Sequence, residues 1–269
     1  MRYVVAILIA LVMFFPLYWM AVTSVQTIGG VMRMPPAFIP REVTAKNYAL
    51  YFDKTPWLIW ARNTLIVVGS SIVLSVVITA MAGYAFSVFS FKGKTVFYWA
   101  LIWSIMITRY ALLIPLFVIN VKLGVYGLAA AILPVMLDPV GIVLFKAYCD
   151  TIPRSLIDSA RLDGAGELAV LWRIVAPLCK PIIGALVVFR SVFMLSDYIW
   201  QMLVLTNRTE WTLLIGFYQS MYNLSTLAGM KNIGVEAACG MLLLVPFLAI
   251  YAVASRYFVG GLTMGGVKE

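Results

Sequence analysis

Residues 151–181 read TIPRSLIDSARLDGAGELAVLWRIVAPLCKP, and the fold turns on this stretch. Asp158, Arg161, Asp163 and Glu167 crowd together here, in a chain that is 63% apolar and only 12% charged. Pro153 suits the first turn of a helix. Residues 154–163 hold no glycine or internal proline and favour helix. Gly164 fits a left-handed C-terminal position. A second short helix, about 166–175, is stopped by Pro177. Two short helices about a glycine bend form a compact elbow. It is too polar to sit in lipid. With Leu156, Ile157, Leu162, Leu168, Leu171 and Trp172 it is also too apolar to stand alone in water. It suits a docking surface for another protein or an amphipathic linker on a membrane surface; periodicity alone leaves both open.

Outward from the elbow, the chain is 269 residues long with a mean hydropathy of +0.98. A soluble domain of this length needs far more charge to cover its surface. A bilayer-spanning helix needs roughly 20 mostly apolar residues. Six apolar segments meet that need, over about 3–24, 58–88, 96–119, 124–148, 181–205 and 234–258. The expected fold class is therefore all-α, a polytopic membrane protein with six transmembrane helices, forming one membrane domain over 1–269. The first segment, with its long apolar run and no small-x-small site directly after it, reads as a retained helix rather than a signal peptide. Pro35, Pro36, Pro40 and Pro56 exclude a long helix between the first two segments. Pro134 and Pro139 predict a kink or a partial unwinding in the fourth. Residues 206–233 read as a loop.

The net charge of +9 fits membrane topology and contact with anionic lipid. No basic cluster alternates with aromatics, so nucleic acid is not an expected partner. Cys149, Cys179 and Cys239 are odd in number and lack metal spacing, and histidine is absent; this argues against a structural disulfide or a zinc site. Placing the N-terminus inside puts ten Lys or Arg residues on that side against eight outside. Discounting the long first outer loop strengthens the bias. Both termini and residues 149–180 are then cytoplasmic.

The spacing within the elbow resembles the "EAA" loop of membrane subunits of ATP-binding-cassette importers: E-A-A, three positions, G, nine positions, I, one position, L-P. Asp158, Ser159 and Ala160 stand at the first three places, followed by Gly164, Ile174 and Pro177. Asp163 and Ala165 complete the "DGA" common in the sugar-importing branch. The departures are Asp158 for Glu, Ser159 for Ala and Ala176 for Leu. The resemblance covers nearly the whole chain. PPAFIPREVTAKNY is similar to the first outer loop of maltose-type permeases, ARNTLIVVGSSIVLSVVITAMAGYAFSVFSFKGK to their second core helix, and RYFVGGLTMGGVKE to the tail of the maltose permease G-component family. Where that family carries "WN" near the fifth helix's outer end, LSDYIW stands here.

This resemblance implies a type I importer permease fold with a cytoplasmic coupling elbow, and a division of labour. A periplasmic or lipid-anchored binding protein delivers a sugar or polyol. This chain and a second homologous permease form the path. Two ATPase subunits bind ATP and Mg, and this chain binds no cofactor. Asp158, Ser159, Ala160, Arg161, Leu162, Asp163, Gly164 and Ala165 would meet an ATPase, with the small residues allowing close approach and the apolar ones anchoring the elbow. The alternative cargo is glycerol or glycerol phosphate, an anion compatible with Arg109 and Arg190. The chain itself offers no phosphate loop. GKT occurs at Gly93–Thr95, but Val88 stands where G-x-x-x-x-G-K-[ST] needs its first glycine.

Arg109, Asp138, Arg190 and Asp197 fall inside apolar segments, where a central charge costs about 2.5–3.5 kcal/mol on insertion scales. Counted along unbroken helices at ~1.5 Å per residue, Arg109 and Asp197 lie at depths of roughly 20 and 24 Å, so they can meet. They form a buried ion pair, an intersubunit bond or, with Tyr110, Tyr198 and Gln201, a polar lining for substrate hydroxyls. A stand-alone secondary carrier would show an internal repeat, and none is evident. A membrane enzyme would need a nucleophile–base or metal constellation, and none is present.

Overall fold

The computed structural model describes residues 2–35, 37–40, 42–225 and 232–262. Its regular elements there are all helical, apart from one isolated antiparallel bridge between Gln26 and Val43. Among the described residues, three helices are long and apolar enough to cross a bilayer unaided: α1 (Arg2–Ser24), α4 (Trp57–Val88) and α15 (Ile233–Leu262). Three bent helix pairs raise the number of candidate spans to six. The tail from residue 263 and residues 226–231, and with them Lys231 and Lys268 of the charge count, lie outside the described residues, as does Arg41.

The chain divides into two compact units, residues 1–63 with 208–248, and residues 64–207 with 249–269. In the first, α1 is apolar all round, and its long middle is exposed in the isolated chain, as a lipid-facing helix is. Its end is tied down by Asn47, on α3 (Lys46–Lys54), whose amide donates to the carbonyls of Ser24 and Gln26, both at 2.9 Å. The short α2 (Ile28–Val31) and α3 agree with a proline-rich connection that cannot hold a long helix. Residues 206–233, read as loop, in fact contain α14 (Leu213–Ser225). Its Gly216 explains the position: a Cβ there would fall 2.1 Å from the Trp60 ring, so the helix lies directly on that ring. Trp60 and Asn63 fasten the preceding turn, donating to the carbonyls of Arg208 (2.8 Å), Thr209 (2.8 Å) and Trp211 (3.0 Å).

The second unit corrects the sequence reading of the third segment. Residues 96–119 do not form one straight helix. α5 (Lys94–Met106) and α6 (Arg109–Lys122) meet at 108°. The break falls at Ile107 and Thr108, both in extended conformation, and not at Pro115, which stays inside α6. Adjacent β-branched residues tolerate extended backbone well, but nothing in their hydropathy announces a corner. The fourth segment bends as expected. The stretch Gly127–Val135, which opens with α7 (Gly127–Ile132), meets α8 (Pro139–Cys149) at 45°. Asp138 caps α8 by accepting from the Gly141 N–H at 3.0 Å. The fifth segment is α12 (Lys180–Ser196) and α13 (Tyr198–Val204), interrupted at Asp197.

Between α8 and α12 lies the elbow. α9 (Arg154–Leu162) is followed by Gly164 with φ +82°, then by α10 (Glu167–Val170), a π-helical turn over Leu171–Val175 and α11 (Ala176–Leu178). Gly164 adopts the left-handed conformation its position demands. The second helix differs from expectation. Pro177 does not stop it, and the chain instead turns by 84° at Cys179 into α12.

Candidate functional site

The inner face of the elbow is apolar and built in. Ile157, Ala160, Val170, Leu171 and Val175 share one buried core with Ala80 and Tyr84 of α4, Phe145 and Cys149 of α8, and Leu186 of α12. Close packing is enforced at Gly83, where a Cβ would stand 2.8 Å from the Phe145 ring. Two polar attachments frame this core. At one end the Tyr84 hydroxyl donates to Glu167 Oε2 at 2.7 Å, while Arg161 Nε donates to Glu167 Oε1 at 2.8 Å. Arg161 also reaches Asp158 Oδ1 at 3.4 Å. At the other end the Ser87 hydroxyl and Lys146 Nζ each donate to Asp150 at 2.6 Å, and Arg154 donates to the Ser87 carbonyl at 3.0 Å.

The ionisation of these carboxylates follows from their donors. The Arg161 guanidinium, helped by the Tyr84 hydroxyl, holds Glu167 below the usual glutamate range. Burial opposes ionisation of Asp150, but the hydrogen bonds from Lys146 and Ser87, with the nearby Lys146 and Arg154 charges, outweigh it and lower its pKa.

The outer face is different. Asp158, Ser159, Leu162, Asp163 and Gly164 are exposed, and Arg161 and Ala165 are half-buried. Leu162 is 89% and Leu168 62% exposed, with Leu156 and Trp172 also uncovered. This sorts the eight elbow residues expected from the motif. Ala160 faces the core rather than outward, because its position on α9 falls on the same side as Ile157, three residues earlier. Of the apolar residues expected to anchor the elbow, Ile157 and Leu171 do so; Leu156, Leu162, Leu168 and Trp172 point away from it.

Within the apolar segments, Arg109 at the start of α6 is ion-paired with Asp197. The two come together although the 108° corner removes the unbroken helix on which the depth count relied. The Arg109 guanidinium also lies over the Phe193 ring at 4.3 Å from its centroid. Arg190, 7% exposed, approaches the same ring at 5.3 Å, and among the described residues its Nε and Nη2 have no hydrogen-bond partner. Gln201 is buried and donates to the Met194 carbonyl at 2.7 Å, bridging the break at Asp197. Tyr110 is exposed and Tyr198 half-buried.

The family model described as "Binding-protein-dependent transport system inner membrane component" matches residues 75–262, which contain both the elbow and the ion pair. The chain belongs to this family. As a member it is a transport permease subunit of ABC importers, not an enzyme. It is 30% identical over 264 residues to the arabinooligosaccharides transport system permease protein of Halalkalibacterium halodurans, covering 97% of this chain and 93% of that one. It is also 30% identical over 230 residues to the maltodextrin transport system permease protein of Bacillus subtilis, covering 84% and 81%. In fold it matches a chain of a bacterial ABC transporter involved in the import of the acidic polysaccharide alginate, with a TM-score of 0.85 at 20% identity, over 96% of this chain and 95% of that chain.

Sequence reasoning missed the residues that hold the elbow. Tyr84 and Ser87 lie in an apolar run with no sign that their hydroxyls face acids 83 and 63 positions away. Glu167 was visible as a charge in the motif region, but its partners were not.

Proposed function

We propose that this chain forms half of the translocation path of an ATP-driven sugar or polyol importer, and that its elbow is the element through which ATPase closure reaches the membrane. One observation carries the coupling role: the elbow is anchored on one face and leaves Leu162 and Leu168 bare on the other. Apolar side chains held out on a rigid, charged support are what a partner protein buries. On this reading Asp158, Ser159, Arg161, Leu162, Asp163, Gly164 and Ala165 face an ATPase, whose own site holds ATP and Mg. A second permease and a binding protein complete the assembly, with both termini of this chain on the ATPase side. The oligosaccharide-handling relatives favour a sugar over glycerol or glycerol phosphate as cargo. Arg109, Asp197, Tyr198 and Gln201, with Tyr110, are the path residues, in which the ion pair keeps two charges compatible with an apolar surround.

The test is ATP turnover in vesicles. The chain alone should hydrolyse no ATP. The complex copurified with it should, and its binding protein, loaded with whichever sugar binds it in a sugar and polyol panel, should accelerate turnover. Asp163→Lys should weaken that acceleration and leave sugar binding by the binding protein unchanged. Turnover by the isolated chain, or full acceleration in the variant, rejects the reading.

A further inference from the structure

The elbow hangs from α4 by two polar attachments one helical turn apart. Tyr84 holds Glu167, the first residue of α10. Ser87, three positions on, meets Asp150, which follows α8, and Arg154, the first residue of α9. Residues at i and i+3 share a helix face, so a single face of α4 grips both arms of the elbow. Arg161 closes the arms on each other by joining Glu167 and Asp158 across the Gly164 bend.

The apolar core beneath would hold the elbow without these bonds. Glu167 and Arg161 are too exposed for their pairing to be needed to avoid buried charge. Apolar burial is non-directional and permits sliding and rocking, whereas a hydrogen bond weakens steeply when its angle changes. The polar contacts therefore define the angle between the elbow and α4, and the core supplies adhesion.

Resting on the coupling role proposed above, we infer that Tyr84, Glu167 and Arg161 form a positioning clamp that makes α4 the lever of the permease: displacement of the elbow is passed to α4 through the Tyr84–Glu167 bond. These residues touch neither sugar nor nucleotide. They act by denying the elbow freedom to rock against α4. Networks of this kind modulate coupling between distant sites.

The experiment uses the whole complex in lipid vesicles with MgATP and the loaded binding protein. Tyr84→Phe removes one hydroxyl, and Glu167→Gln keeps shape while losing charge. Each should leave basal ATP turnover and membrane abundance as in the wild type. Each should also lower stimulation by the loaded binding protein, and sugar moved per ATP, by roughly two- to thirtyfold. The double variant should be no worse than the more severe single variant, because both break one linkage. Glu167→Asp should retain part of the coupling. Additive losses, or wild-type stimulation in both single variants, overturn the clamp. If the clamp variants behave as wild type while Asp163→Lys loses stimulation, the elbow still couples and only the clamp is wrong. If Asp163→Lys is also fully stimulated, the coupling reading itself fails.

Discussion

Replacing Arg109 with alanine leaves the Asp197 carboxylate, whose side chain is only 9% exposed, without its ion-pair partner. Removing one member of a buried pair costs about 3–5 kcal/mol, because the survivor remains desolvated. Asp197→Asn should be milder. The Arg109 side chain is 26% exposed and lies against the Phe193 ring at 4.3 Å. It keeps some water and a cation–π contact of about 0.5–2 kcal/mol, so the loss should be about 1–3 kcal/mol. The structure thus predicts an asymmetry, with the cation's removal the more damaging. At roughly 2–4 °C per kcal/mol, Arg109→Ala should lower the melting temperature of the detergent-purified permease by about 6–20 °C. The Arg109→Ala/Asp197→Asn double variant should lose clearly less than the sum of the two, and the swap Arg109→Asp/Asp197→Arg should recover part of the loss. Sugar uptake in vesicles, normalised to membrane abundance, gives the functional arm of the cycle. Additive losses, or a larger effect for Asp197→Asn than for Arg109→Ala, would refute the pairing as the source of the stabilisation.

Gly164→Pro should abolish transport at normal membrane abundance, since proline cannot adopt the φ of +82° found there; normal uptake would show that the elbow angle is irrelevant. Gly216→Ala puts a methyl group where the Trp60 ring already lies. It should cost about 1–3 kcal/mol or more in thermal stability, whereas an unchanged melting temperature would mean α14 does not rest on that ring. Glu167 and Asp150 both ionise more readily in the folded chain than in the unfolded one. Their stabilisation is therefore present above the unfolded values and lost as pH falls through the lower folded ones. Resistance of the elbow to proteolysis should be flat from neutrality to about pH 5 and then decline, and Glu167→Gln should flatten part of that decline.

Hydropathy and length were enough to place six apolar segments, because crossing a bilayer is a property of roughly 20 consecutive residues and needs no knowledge of neighbours. The elbow was legible for a similar reason. A helix start at Pro153, a left-handed turn at Gly164 and the spacing from Asp158 to Pro177 are all local. What the sequence could not decide depended on residues far apart. The corner at Ile107 and Thr108 follows from where α5 and α6 pack, and the same β-branched pair would sit in a straight helix elsewhere. Helix α14 was hidden in a presumed loop because its close seat is the Trp60 ring, more than 150 positions away. Ala160 turned inward and Leu162 outward once α9 had a core to face. Arg109 and Asp197 could be suspected as partners from the cost of charge in lipid, but only folding brought them together. Tyr84 and Glu167 carried no such hint. A hydroxyl in an apolar run and an acid in a charged loop are each satisfied locally on paper, and their bond exists only because tertiary packing lays the elbow across the end of α4.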